Sequence, residues 1–200
     1  NGGTFTGAGG TVTAGNVALS SGLLIAPNIT GAFQVGGNWT VSGGTFDSNA
    51  GTVTFTAAAG TQTLNSGGSL FFNVSHTGAG ILQLVTSPLT VTGALLNGAA
   101  AGNFDANGQS VAVTGLTTVT GGASLASTAS HTFLGGLTVN GGTFTGSSGT
   151  VLGGNVTLSS GTLTAPSNLG TFQVTGNWSR TGGTFNHNNG TVNFHIPFGT

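Results

Sequence analysis

Apolar residues recur along this chain in pairs separated by one position: Val17/Leu19, Phe33/Val35, Val53/Phe55, Phe72/Val74, Leu89/Val91, Val111/Val113, Leu137/Val139, Val156/Leu158, Phe172/Val174 and Val192/Phe194. Apolar–polar–apolar alternation is the two-residue period of a half-buried strand. Between the pairs lie GG, SG, NG, AG and TG dipeptides, which punctuate turns because Gly reaches positive φ cheaply. Taking the second member of each pair, most steps run from 16 to 22 residues. The step from Val113 to Val139 is longer and predicts an extra corner around GLTTVTGGASLAS. No window shows a helical i, i+3, i+4 stripe of helix formers, so little or no helix is predicted.

A longer period encloses the short one. Shifting the chain by 139 positions aligns 1–61 with 140–200 without a gap, and 38 of the 61 pairs are identical. NGGTFTG opens both copies; GNVALSSG returns as GNVTLSSG, FQVGGNW as FQVTGNW, and GGTFDSNAGTVTF as GGTFNHNNGTVNF. The heptapeptide is therefore the corner of a structural super-repeat, residues 1–139, with a second copy starting over 140–200.

Short strands, Gly-marked corners and a coil near 18–20 residues describe an all-β, parallel β-solenoid, one domain over 1–200. Each turn of such a fold is unable to bury its own apolar face, and stacking builds a continuous core. About ten coils at ~4.8 Å each predict a rod of roughly 48 Å. The rival is a sandwich of hairpins; the gapless long repeat favours the solenoid.

Composition narrows the function. Only Asp47, Asp105 and Arg180 carry fixed charge, and there is no Lys, Glu, Cys, Met or Tyr. With 36% apolar residues the chain lacks the polar, highly charged composition of disorder. A single arginine is unable to neutralise a run of phosphates, so no nucleic acid is expected as partner. No apolar run approaches the ~18 residues of a spanning helix, so no membrane insertion is expected. A Gly/Thr/Ser/Asn surface nearly free of Lys and Glu points to an extracellular or cell-surface location.

Candidate chemistry is sparse. Glycoside hydrolysis normally uses two carboxylates ~5–9.5 Å apart, whereas Asp47 and Asp105 are separated by 58 residues. That is about three coils, or roughly 14 Å along the axis. His76, His131, His187 and His195 lack the close spacing of a zinc set. No Lys completes a phosphate-binding loop, and no triad is assembled. The expectation is a protein that is not an enzyme, with no cofactor and no metal.

Three surface features remain. Asn recurs in matched pairs, Asn16/Asn155, Asn38/Asn177 and Asn49/Asn188, suited to left-handed corners and to amide ladders along a stack. Trp39 and Trp178 follow GN in the two copies and have two readings. They are fillers of the core or corner, or, with Asn38 and Asn177, exposed contact surfaces for a sugar ring or a neighbouring subunit. Thr-x-Thr triplets at 4–6, 11–13, 52–54, 61–63 and 143–145 suit a solvated strand face; aligned on one flat face they would also suit ice. Six N-glycosylation sequons, at Asn28, Asn38, Asn73, Asn155, Asn177 and Asn189, are expected by chance in so Asn- and Thr-rich a chain.

GGTFTGSSGTV, GNVTLSSGTLTAPS and TGNWSRTGGTFN resemble the Gly/Thr/Asn-rich β-solenoid repeats of very large secreted bacterial surface proteins. Adhesins, autotransporter-like passengers and filamentous proteins carry such repeats. The resemblance implies a right-handed β-helix used as stalk, fibre or adhesive surface, and it transfers no catalytic residue. The chain opens on a repeat corner without an initiator Met and stops in mid-repeat, as a segment of a longer protein would. The function expected is a self-associating structural segment of an extracellular fibre or stalk. The alternatives are an adhesin for glycans or a host surface, and an ice-binding solenoid.

Overall fold

A computed structural model describes residues 2–98, 100–125 and 128–195, and for Leu125 the backbone alone. The described residues form twenty-six β-strands and no helix. Every pairing between them is parallel and joins strands about one turn apart in sequence, from Thr4↔Leu23 to Phe172↔Val192. This is a β-solenoid of about nine turns rather than ten, about 43 Å long at ~4.8 Å per turn.

Each turn contributes three strands, which stack into three files. The first file holds Thr4–Thr6, Leu23–Ile25 and Thr45–Asp47. After a break it resumes with Leu70–Phe71, Leu89–Val91, Val111–Val113, His131–Phe133, Val151–Gly153, Thr171–Val174 and Thr191–Phe194. The second runs Thr11–Ala14, Ala32–Val35, Thr52–Phe55, Asn73–His76, Leu95–Asn97, Thr117–Val119, then 137–139, 156–158 and Trp178–Arg180. The third runs Val17–Leu19, Trp39–Val41, Thr61–Asn65, Ile81–Leu84, Phe104–Asp105, Ala123–Leu125, then 143–145, 162–164 and Thr184–Asn186. Two nine-residue strands, Leu137–Thr145 and Val156–Thr164, bend round a corner and serve both the second and third files.

Side-chain alternation places one apolar file inside each face. In the second file Phe33, Val53, Val74 and Leu95 stack inward in register, followed after the inward Thr117 by Leu137 and Val156. Each large apolar side chain so buried stabilises the fold by about 1.5–3 kcal/mol. The break in the first file lies between Thr45–Asp47 and Leu70–Phe71, where the insert Asn65–Ser69 lengthens the turn.

Corners are held by side chains reaching one turn along the axis. Asn16 Oδ1 accepts from Asn38 N–H (2.7 Å), Asn38 Oδ1 from Thr63 N–H (2.9 Å), and Asn155 Oδ1 from Asn177 N–H (2.8 Å). The expected amide-to-amide ladder is thus a side-chain-to-backbone ladder, which satisfies donors the corner would otherwise leave bare. A second device recurs three times. Asp47, Asp105 and Asn186 each accept from the N–H two residues on, at 2.8, 2.8 and 2.9 Å. The residue so held, Asn49, Asn107 or Asn188, is left-handed (φ 47°, 46° and 51°) and donates its amide to a carbonyl of the preceding turn. Asn tolerates that conformation better than most side chains.

Candidate functional site

The two tryptophans occupy equivalent aromatic clusters. Trp39 meets Phe33, Phe46 and Phe55 edge-on at 5.6, 4.9 and 6.4 Å. Trp178 meets the counterparts Phe172, Phe185 and Phe194 at 5.9, 5.0 and 5.9 Å. A fourth ring, Phe71, closes over Trp39 at 5.4 Å and leaves it 0% exposed. Trp39 is core filler, which removes it as a surface contact. Trp178 is half-buried in its cluster, while Asn38 and Asn177 are exposed. The Asn38 side-chain oxygen is committed to the corner ladder. The two copies are not brought together: Trp39 lies in the third file and Trp178 in the second.

The ionisable groups are equally dispersed. Asp47 ends a first-file strand and Asp105 a third-file strand, so the carboxylates sit at different corners. Each closes its own turn, and Asp105 Oδ2 also accepts from Gln83 Nε2 at 2.8 Å. Arg180 donates to the carbonyls of Gly182 and Gly183 at 3.2 and 2.6 Å, pinning its own turn. His187 Nδ1 accepts from Asn189 N–H at 3.1 Å. Among the described residues no three His, Asp, Glu or Cys side chains converge to hold a metal ion. The described residues contain no helix, and so none long and apolar enough to cross a membrane.

The unexpected feature is a polar seam inside the middle turns. Gln62, His76, Asn97, Thr117, Ser124 and His131 all point inward and are buried. His76 Nδ1 lies 2.7 Å from Asn97 Oδ1, and Asn97 Nδ2 donates to Gly121 O at 2.9 Å. That second bond orients the amide, so His76 donates from Nδ1. Burial lowers the His76 pKa, with the Asn97 bond opposing it. His131 Nδ1 accepts from Val111 N–H at 3.2 Å, and burial lowers its pKa to about 4. Thr117 Oγ1 is buried without a hydrogen-bond partner. It lines a cavity of about 20 Å³ together with Asn97, Phe104, Ser124, His131 and Phe133.

Two outward features complete the surface. Successive second-file strands present Thr13, Gln34, Thr54, Ser75, Leu96, Thr118, Thr138, Thr157 and Ser179 in register. On the third file two successive strands carry paired hydroxyls, Thr143/Thr145 and Thr162/Thr164, followed by Thr184 beside Asn186. At the break in the first file lies an open depression of about 560 Å³, lined by Leu23, Phe46 and Leu70 together with Asp47 and a majority of Gly, Ser and Thr.

Compared with known proteins, the chain matches no family model, no curated protein and no solved structure.

Proposed function

We propose that this chain is a non-catalytic structural segment of an extracellular fibre or cell-surface stalk, built to associate with itself. The observation that carries the reading is the use to which its reactive side chains are put. Both carboxylates and the arginine close turns, and two of the four histidines are sealed in the core. Stacked parallel ladders over an interior that is apolar along most of its length make a stiff rod. A wall carrying three fixed charges sets up little repulsion against lateral packing. The resemblance to repeats of secreted bacterial surface proteins supports the same location.

Light scattering over a concentration series tests this: growth of elongated assemblies is expected, and a strictly monomeric chain at high concentration overturns it. The adhesin reading keeps Trp178, Asn177 and Asn38 of its original surface and loses Trp39, which is enclosed. Ice binding has two turns of paired hydroxyls in its favour on one face, against a second-file row interrupted by Gln34 and Leu96.

A further inference from the structure

Each turn at an end of the described solenoid has a counterpart inside it. The first turn, Thr4–Thr6, Thr11–Ala14 and Val17–Leu19, is paired on one side alone, with Leu23–Ile25, Ala32–Val35 and Trp39–Val41. Its copy at 143–145, 151–153 and 156–158 is paired on both sides, the added partners being Ala123–Leu125, His131–Phe133 and 137–139. Phe5 is accordingly 48% exposed against 3% for Phe144, and half-covered Val12 and Val17 match fully buried Val151 and Val156. The far end repeats the contrast. Among the described residues Trp178–Arg180, Thr184–Asn186 and Thr191–Phe194 pair only with the turn before them. In the first copy Leu64 lies opposite Trp39, Val74 lies opposite Val53, and Phe71 stands 5.0 Å from Phe46. Phe194 is 59% exposed where its counterpart Phe55 is sealed.

What covers these faces inside the chain is a further parallel turn, and its rotational setting is not fixed. Thr4–Thr6 stands in the first file, yet its counterpart 143–145 stands in the third. Thr11–Ala14 belongs to the second file and Val151–Gly153 to the first, Val17–Leu19 to the third and 156–158 to the second. Counting each corner-spanning nine-residue strand as two, twenty strands separate every strand from its copy. At three per turn the repeat advances six and two-thirds turns, about 32 Å of axis. The two copies are therefore rotated by a third of a turn. The equivalent aromatic clusters around Trp39 and Trp178 show the same interior forming in either setting.

We infer that second copies of this chain stack head to tail, the first turn of one on the Trp178/Phe185/Phe194 face of the next. The inference rests on the fibre reading above and gives it a surface. The chain carries both halves of the joint. Its first turn brings Phe5, Val12, Val17 and Leu19 inward, in register with buried Leu24, Phe33, Trp39 and Val41. One ring among aliphatic side chains is also what Leu64, Phe71 and Val74 bring to the face they cover in the first copy. At the first turn opens a mouth of about 520 Å³, nine of whose fourteen lining residues are apolar, so an apolar face can seat there. A bare strand edge is a template for another extended strand, and head-to-tail contact keeps every strand parallel. Residues 2–46 hold no fixed charge. Arg180 stands in the place of Val41, but it is exposed and turns its guanidinium to the corner carbonyls of Gly182 and Gly183. Its charge therefore stays at the rim. A contact between unlike faces grows without closing.

Rod length in electron micrographs separates stacking from side-by-side packing. Parent rods are expected in multiples of about 43 Å. Phe5→Asp blocks one end and Phe194→Asp the other, each variant being checked first for an unchanged β-sheet spectrum. Alone, each is expected to show single rods; mixed in equal amounts they regain one joint and reach about 86 Å, twice the single length. Arg180→Val, which restores the residue of the first copy, is expected to lengthen rods several-fold at the same concentration. Parent rods that stay single, or end variants that lengthen as the parent does, overturn the joint. Side-by-side bundles of single rods overturn it too but leave the fibre reading standing, whereas rods that neither lengthen nor bundle overturn both. Rods that lengthen only after removal of residues 196–200 overturn the second copy as occupant, because the chain's own tail then covers the face.

Discussion

Acid should loosen the solenoid from its middle, and His131 sets the pH window. In the folded chain burial holds its pKa at about 4, against 6.5 for the free side chain. At pH 7 both states are neutral and the full stability is present. As pH falls below 6.5 the unfolded chain takes up a proton that the folded chain refuses, so stability declines. The loss continues to about pH 4, where the folded form also protonates, and then levels off. A difference of about 2.5 pKa units amounts to roughly 3 kcal/mol, since one unit is ~1.4 kcal/mol. His76 is shifted in the same direction and adds to the slope. Urea unfolding, followed by far-UV circular dichroism from pH 7.5 to 3.5, measures the effect. His131→Phe keeps an aromatic ring beside Phe133 and loses the acceptor for Val111 N–H. It should therefore be about 1–3 kcal/mol less stable at pH 7, the cost of a buried donor left without its acceptor, with a visibly flatter acid limb. Identical slopes for parent and variant between pH 6.5 and 4 would refute the assignment of His131 as a neutral buried base.

Other substitutions probe separate parts of the account. Trp39→Ala should cost about 3–5 kcal/mol, in the range for a fully buried Trp, and half-buried Trp178→Ala clearly less; equal costs in urea unfolding would contradict the asymmetry seen between the copies. Thr117→Val removes a buried hydroxyl that has no partner and should be neutral or slightly stabilising, so a loss of more than about 1 kcal/mol would mean that the hydroxyl is bonded after all. A Cβ at Gly51 would come within 1.9 Å of Pro27 O, and one at Gly190 within 1.9 Å of Pro166 O. Gly51→Ala and Gly190→Ala should each destabilise the fold by about 1–3 kcal/mol or more, and a neutral effect on thermal melting would place those backbones further apart.

The fold class was legible because glycine corners and two-residue alternation survive in a single sequence. The number of strands per turn was not. The ten apolar pairs do not form one file: Val17/Leu19 lies in the third, Phe33/Val35 in the second and Leu89/Val91 in the first. Several of the strands left out of the pattern carry polar inward positions, Gln62 in Thr61–Asn65, Asn97 in Leu95–Asn97 and Thr117 in Thr117–Val119, whereas Trp39–Val41 and Ile81–Leu84 hold apolar inward pairs that the pattern passed over. The polar residues interrupt alternation on paper while facing the interior in space. The long step from Val113 to Val139 has the same cause: it contains Thr117–Val119, Ala123–Leu125 and the His131–Phe133 strand, whose first inward residue is a histidine. Phe72/Val74 was a near miss, since the inward pair of that strand is Val74 and His76.

The candidate surface was legible only in part. Local motifs such as GNW show that Trp39 and Trp178 are equivalent, yet burial depends on Phe71, a residue thirty-two positions from Trp39 that no local pattern connects to it. The Asp47 and Asp105 carboxylates were correctly kept apart by counting turns, and their role in closing Asx-type turns follows from the Asn two residues later. The rotation between copies had no sequence signal. A shift of 139 residues is compatible with a whole number of turns until pairing shows three strands in each.

The central claim, a stiff parallel solenoid that assembles with itself, is tested most directly by cryo-electron microscopy of the purified chain across a concentration series. The account predicts rods built of units about 43 Å long with a ~4.8 Å repeat along their axis, gathering into lateral assemblies as concentration rises. Isolated rods at every concentration would contradict self-assembly, and particles without the axial repeat would contradict the solenoid itself.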